Sequence, residues 1–387
     1  MSDPRWPALL DRERLTVYPR IFAALYLLIG GGWLLSGPGL LDRGGKPLGG
    51  DFITFYAASE LVLSGAPDAV FDLERLHAVE QAVIGVPIDR FAWHYPPTAL
   101  LLVAPLAALP FVAALGIVTL VSLAIYVATL RGVDKGPLLL GLALAFPGLF
   151  QNLIHGQNGC LSLALLGGGL LLLERRPGVA GVLLGLLSMK PHLTPMVGLA
   201  LLAGRQWRAL GAMAATALGL AGVSAAALGP APWQAFVDNL PFAQAVLYEG
   251  GVAWEKMPTA SAAALLLGAP PVAAKAAQAV VTLGAAGAVA WLWARPCPHD
   301  LRAAGLTLAV LLATPFAFEY DLAILAFPLA LLGVAGARAG WQRGDVAALI
   351  AGYALPFLAP ALAGLTRLQV GPLVLAALLA CALRRAR

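Results

Sequence analysis

Ionisable and amide-bearing residues are scarce in this chain, and those that lack an obvious topological duty fall into six short stretches. Asp51 follows Gly49-Gly50 and precedes Phe52-Ile53-Thr54-Phe55-Tyr56-Ala57-Ala58-Ser59, just after the first apolar segment (residues 21–41). A carboxylate there is either a general base beside a bound hydroxyl, or the cap of a surface helix with Tyr56 as an interfacial anchor. Lys190-Pro191-His192 interrupts two apolar runs on the side where topology asks for no cation. An ammonium and an imidazole beside a proline-broken helix suit a phosphate or pyrophosphate headgroup; the alternative is a snorkelling lysine.

The remaining stretches offer hydrogen-bonding groups. Asn152 to Gly159 carries His155, Gln157 and Asn158 between two apolar runs, with glycines that permit close approach of a ligand. Such amides suit sugar hydroxyls, or else satisfy the backbone of a broken helix. His94-Tyr95-Pro96-Pro97 is a rigid extended lead-in to a helix, and Tyr95 either stacks on a sugar ring or anchors in the interface. Thr314 to Asp321 adds Glu319, Tyr320 and Asp321, whose carboxylates either bind hydroxyls or hold Lys190. Trp254 and Lys256, in a late loop, either close over a substrate or belong to a solvated loop. Ionisable groups in or at the ends of membrane segments are costly, so function is their default hypothesis.

The elements that must position these groups follow from composition. The chain is 60% hydrophobic and only 12% charged, with mean hydropathy +0.83. Soluble domains carry about 25% charged residues, so this is an integral membrane protein. Apolar runs recur from residue 21 to 383, and counting them predicts an all-α bundle of about eleven transmembrane helices, within a range of roughly 9–13. One membrane domain spans 1–387. Runs 138–150 and 178–189 are short for full spans, as where a cavity dips into the bilayer or where helices tilt. Between residues 97 and 130 the length approaches two spans but is broken by Pro105 and Pro110. Either 97–109 is a re-entrant piece, or the loop at Arg131 lies outside.

Lys and Arg set the orientation. Assigning residues 1–20, 131–135, 174–176, 205–208, 295–302, 338–345 and the tail 384–387 to the cytoplasm puts 17 basic and 7 acidic residues inside, against 8 and 13 outside. The outer face then receives the first loop (42–95), with an amphipathic helix over 68–84 turning Val70, Leu73, Leu76, Val79 and Val83 to one side, and the late loop (229–259). Arg5 to Arg20 lead into a retained first helix, with no convincing cleavage pattern. The net charge of +5 is that of helix-end clusters and does not point to nucleic acid. Cys160, Cys297 and Cys381 have no disulfide or zinc spacing. A Walker-type loop, a dinucleotide fingerprint and the spacing of a protein-built metal cage are all missing, so no cofactor is expected.

Taken together, Asp51 with Phe52 and Tyr56, then Tyr95-Pro96-Pro97, Gly156-Gln157-Asn158, Lys190-Pro191 and a late Pro-aromatic-Tyr-Asp stretch resemble glycosyltransferase family 87. The similarity runs in order over roughly residues 21–331. The resemblance implies a GT-C-type fold and a polyprenyl-phosphate-linked sugar, mannose by preference, as donor. It also implies a lipid or glycan acceptor, a periplasmic active site in the inner membrane, and inversion at the anomeric carbon. The first-loop aspartate is the implied base, here Asp51, with Lys190 and His192 facing the donor phosphate. Tyr56, Tyr95, His155, Gln157, Asn158, Trp254, Lys256, Glu319, Tyr320 and Asp321 are expected around sugar and acceptor. Glu319 departs from the family's usual residues. A transporter or flippase is the alternative reading. Its charges would line a midplane path within paired, broken repeats, and no such pairing is visible.

Overall fold

A computed structural model describes residues 13–387; the first twelve residues, with most of the expected cytoplasmic arm, lie outside the described residues. Among the described residues every regular element is a helix, apart from one isolated bridge between Leu41 and Pro47. Six helices are long and apolar enough to cross a bilayer: Arg14–Leu35, Phe111–Val133, Trp207–Leu228, Pro271–Trp293, Asp321–Ala339 and Asp345–Thr366. Pro137–Leu144 and Pro147–Ile154 make a seventh if the pair, bent by 47°, forms one broken span.

The other apolar runs in the expected count of about eleven form shorter helices, among them Gly159–Leu172, Pro177–Met189 and Pro191–Ala203. Prolines explain several of these breaks, because a proline lacks the N–H a helix interior needs and disfavours helical geometry in the residue before it. Pro147 sits at the 47° bend. Pro105 and Pro110 separate the seven-residue helix Pro97–Val103 from the 23-residue span Phe111–Val133, so that region is one short piece and one full span.

Phe52–Leu63 is apolar for a different reason. Nine of its twelve residues are buried, and a helix that is hydrophobic all round belongs in a core. Its polar side chains serve the broken segment beside it. Ser59 Oγ donates to the Ala104 carbonyl at 2.7 Å and accepts from Ala107 N at 2.9 Å, while Tyr56 Oη donates to the Leu109 carbonyl at 2.8 Å. These bonds satisfy backbone groups that the two prolines leave without helical partners.

The loop helix differs from its expected form. Residues 67–84 are two elements, a 3₁₀ turn Pro67–Phe71 and an α-helix Leu73–Ile84, separated at Asp72. The Asp72 carboxylate accepts from Glu74 N and Arg75 N and so caps the second element. Leu76, Glu80 and Ile84, four residues apart, form its buried stripe, with Val79 and Val83 half-buried beside it.

The spans are enclosed to different degrees. In its most apolar window, Asp321–Ala339 is 61% buried and Arg14–Leu35 only 6%, so the molecule is built around the helix that begins at Asp321. Loops assigned to one side by their charges also meet. His299 lies 3.7 Å from Glu174, and Asp345 pairs with Arg384 at 2.9 Å and with Arg385.

Candidate active site

Asp51 occupies the N-cap position of Phe52–Leu63, yet its carboxylate makes no cap bond to that helix. The side chain instead accepts at Oδ2 from Gln157 Nε2, at 2.8 Å. Its other oxygen has no protein partner among the described residues, and the residue is half-buried. A free lone pair on a half-buried carboxylate can take a proton from a bound hydroxyl.

Two interlocked turns create this contact. Gly50, at φ +50°, lies against His155, where an added Cβ would stand 3.3 Å from the His155 Cα. Gly156, at φ +54°, faces Phe52 and the Gly49 carbonyl, where an added Cβ would stand at 2.5 and 2.7 Å. Only residues without a side chain accept both the left-handed backbone and this approach. Gln157 is thereby carried to Asp51 across 106 positions of sequence.

Tyr95 links the next groups. Its hydroxyl donates to Gln157 Oε1 at 3.3 Å and accepts from Asn158 Nδ2 at 3.0 Å. Trp93 and Phe55 pack against its ring, and Trp93 Nε1 donates to its carbonyl at 2.7 Å. The Lys190 ammonium stands 6.0 Å from the centre of the Tyr95 ring. Tyr95 is thus tied to Asp51 through Gln157 and lies near Lys190.

Lys190 sits between two 3₁₀ turns, Leu187–Met189 and Pro191–Leu193, where Pro191 ends the preceding helical run. It is 3% exposed, which sets aside the snorkelling alternative. Its ammonium donates to Asp321 Oδ1 at 2.6 Å, and Asp321 Oδ2 accepts from Phe318 N at 3.1 Å. Of the two roles open to Asp321 from sequence, holding Lys190 is the one observed. An ammonium has three N–H groups, so two remain for a ligand.

Glu319 faces the same region from the 314–321 stretch. Oε1 lies 3.4 Å from Lys256 Nζ, while Oε2 is buried without a hydrogen-bond partner. Burial pushes the Glu319 carboxyl above its usual range, and Lys256 and His155 pull it back in part. Tyr320 stacks on Phe318 and faces His155, with ring centres 5.4 and 5.7 Å apart.

Two expected site residues are not drawn into this cluster. The Tyr56 hydroxyl is committed to the Leu109 carbonyl, with its ring against Phe111. Trp254 donates to the Leu247 carbonyl at 2.8 Å and packs with Met257. His192 stays within reach of the Lys190 and Asp321 charges but makes no hydrogen bond to them, and packs its ring 6.2 Å from Phe316, which also faces His94. The loop bearing Trp254 and Lys256 is fastened, not free. Gln369 Nε2 donates to the Glu255 carbonyl at 2.9 Å, and Glu319 N to the Lys256 carbonyl at 2.9 Å.

Sequence reasoning left the role of one residue open and missed another. Asn152, 0% exposed, donates to the Tyr320 carbonyl and accepts from Cys160 N, both at 3.4 Å, and so ties the 155–158 turn to the late stretch. Of the two roles the sequence left to the amides of this stretch, satisfying backbone is the one observed for Asn152. Glu80, also 0% exposed, lies on the apolar stripe of the loop helix, and a charge at an i+4 position of that stripe was its signal. Among the described residues no three His, Cys, Asp or Glu side chains gather as metal ligands would.

A family model for Glycosyltransferase family 87 matches residues 93–315. That stretch contains Tyr95, His155 to Asn158, Lys190, His192, Trp254 and Lys256, whereas Asp51 and Glu319 to Asp321 lie on either side of it. No curated protein and no solved structure matches the chain.

Proposed function

Because the chain belongs to glycosyltransferase family 87, and is thus a membrane glycosyltransferase, we propose that Asp51 is its general base and a polyprenyl-phosphate-linked sugar its donor. Mannose is the expected sugar, a lipid or glycan the acceptor, and the periplasmic face of the inner membrane the place of reaction. The observation that carries this reading is the Asp51 carboxylate, turned from its own helix and held through one oxygen by Gln157.

The chemistry follows from these groups. The acceptor hydroxyl gives its proton to the free oxygen of Asp51 as its own oxygen forms a bond to the anomeric carbon. The bond from that carbon to the phosphate oxygen breaks, and its electron pair leaves with the polyprenyl phosphate. Attack opposite the leaving group inverts the centre through an oxocarbenium-like state. A phosphate leaves as an anion without a proton, so it needs stabilised charge more than a general acid. Lys190 supplies that charge through its two uncommitted N–H groups, while Asp321 keeps the ammonium from leaving the interior. Tyr95, Asn158 and Glu319 offer a ring face and hydrogen-bonding groups to sugar hydroxyls.

The test is sugar transfer in membranes from radiolabelled polyprenyl-phosphate-mannose, comparing wild type with Asp51→Asn. Loss of about 10³-fold or more in the variant is expected for a missing base in this position. Wild-type transfer by Asp51→Asn refutes the assignment. Donors bearing other sugars, run in parallel, identify the sugar.

A further inference from the structure

Glu80 takes no part in the transfer step, yet its carboxylate is fully enclosed and joins three pieces of chain. Oε1 accepts from Thr54 Oγ1 at 3.2 Å, and Thr54 lies in the first turn after Asp51, with its own N–H donating to the Asp51 carbonyl at 3.1 Å. Oε2 accepts from Phe91 N at 3.4 Å, four residues before Tyr95. The third piece is the loop helix itself, where His77 Nδ1 stands 3.3 Å from Oε2. The Gln81 amide donates to His77 Nε2 at 2.9 Å, so the ring proton of a neutral His77 sits on Nδ1 and points at Glu80. One carboxylate thus fastens both the turn that bears Asp51 and the segment that bears Tyr95, the two side chains that Gln157 also joins.

We propose that Glu80 is a positioning residue for the Asp51 base, holding the Asp51 and Tyr95 segments in one register and setting a second ionisable carboxyl behind the first. Burial pushes the Glu80 carboxyl up to about 8, with Asp51 adding to the rise and the bonds from Phe91 and Thr54 opposing it. The charged and titratable groups facing it are Asp51 from the neighbouring helix and His77 from its own. Arg90, next to Phe91, is turned away to Glu74 at the surface, 3.0 Å distant. The role of Glu80 in transfer rests on the reading of Asp51 as base, but its coupling to Asp51 does not.

Two measurements on the purified full chain test the proposal. The first is the pH dependence of transfer for wild type, Glu80→Gln, Thr54→Val and Thr54→Ser. Glu80→Gln is expected to lower kcat about 10-fold with donor KM changed less than about 2-fold, and to lose an inflection near pH 8 that the wild type carries. Thr54→Val follows Glu80→Gln in kcat, and Thr54→Ser restores the wild-type value. A Glu80→Gln profile of wild-type shape and height, or a change confined to KM, overturns the proposal.

The second measurement is thermal melting against pH, which needs no activity. A carboxyl with a raised folded-state pKa contributes stability that is fully present below its unfolded value near 4.5 and is lost as pH rises through about 8. Wild type should therefore fall relative to Glu80→Gln as pH rises through that window. Asp51→Asn should move the fall to lower pH by removing a charge that raises Glu80. Melting curves that stay parallel, or a fall that Asp51→Asn leaves in place, overturn the coupling. A wild type that transfers nothing defeats the proposed function and leaves the melting arm to decide this one.

Discussion

The Gln157 side-chain amide donates to Asp51 Oδ2 at 2.8 Å and leaves the other carboxylate oxygen without a protein partner. The bond turns a mobile acid into one with a set direction. It also connects Asp51 through Gln157 to the Tyr95 hydroxyl, and the Lys190 ammonium stands 6.0 Å from the centre of the same ring.

Gln157→Leu removes the orienting donor without adding charge. We expect kcat to fall about 10- to 100-fold with donor KM little changed, since misplacing a catalytic group by an ångström has an effect of that order. Gln157→Glu sets a second carboxylate against Asp51 and should raise the apparent pKa of the acidic limb of the rate profile. Initial rates across pH distinguish the two; unaltered rates in both variants remove Gln157 from the mechanism.

Lys190 and Asp321 form a buried pair, so losing one partner should hurt more than losing both. Asp321→Leu leaves an uncompensated ammonium and should cost about 3–5 kcal/mol of stability. Lys190→Met combined with Asp321→Leu should regain most of that stability while remaining inactive. Denaturation in detergent and transfer assays on the same preparations check both halves. An active double variant would show that the cation has no part in holding phosphate.

Gly156→Ala should cost at least about 1–3 kcal/mol, because the residue would keep φ +54° while its Cβ meets Phe52 and the Gly49 carbonyl. Relief of that clash pulls the 155–158 turn from Asp51, so transfer should fall along with melting temperature. Ala at Gly178, where an added Cβ meets nothing, is the control.

Tyr56→Phe separates scaffold from site. Losing the hydroxyl removes its bond to the carbonyl of Leu109, an exposed residue beside the proline break, which should cost only about 0.5–1.5 kcal/mol while kcat stays near wild type. A large fall in kcat with unchanged melting would return Tyr56 to the substrate.

His94 sets a pH limit from the acidic side. Its Nδ1 is buried without a partner, and burial holds its pKa down to about 4. The neutral ring contributes stability that is present above its unfolded value near 6.5 and is lost as pH falls through about 4, up to roughly 3 kcal/mol. His94→Phe should flatten that part of the melting profile. A decline of equal size in the variant would assign the acid sensitivity to other groups.

Several of these elements could be read before any coordinates. Asp51, Lys190 and the 155–158 turn stand out because a polar residue is conspicuous in an apolar chain. Proline chemistry marks Pro105, Pro110 and Pro191 as candidate breaks, whereas the bend at Pro147 falls inside a stretch whose sequence reads as one short run. Tyr56 was ambiguous because an aromatic beside an aspartate suits a sugar as well as it suits a backbone carbonyl, and its hydroxyl bonds the Leu109 carbonyl. Glu80 was passed over because the stripe around it is apolar, and its enclosure depends on Thr54 and Phe91 closing over it. The Trp254 loop suggested a lid, but Gln369, more than a hundred residues later, holds it down.

Local composition settles that this chain lives in a membrane and that it is helical, because the transfer of apolar side chains acts within a turn or two; proline marks candidate breaks, yet Pro241, Pro356 and Pro360 sit inside unbroken helices. The partnerships that make a site are of another kind. Gln157 reaches Asp51 across 106 positions and Lys190 reaches Asp321 across 131, and no periodicity in the sequence encodes such pairs. They arise when packed helices bring distant polar groups into a poorly solvated interior, where each must find whichever partner the fold has set within reach.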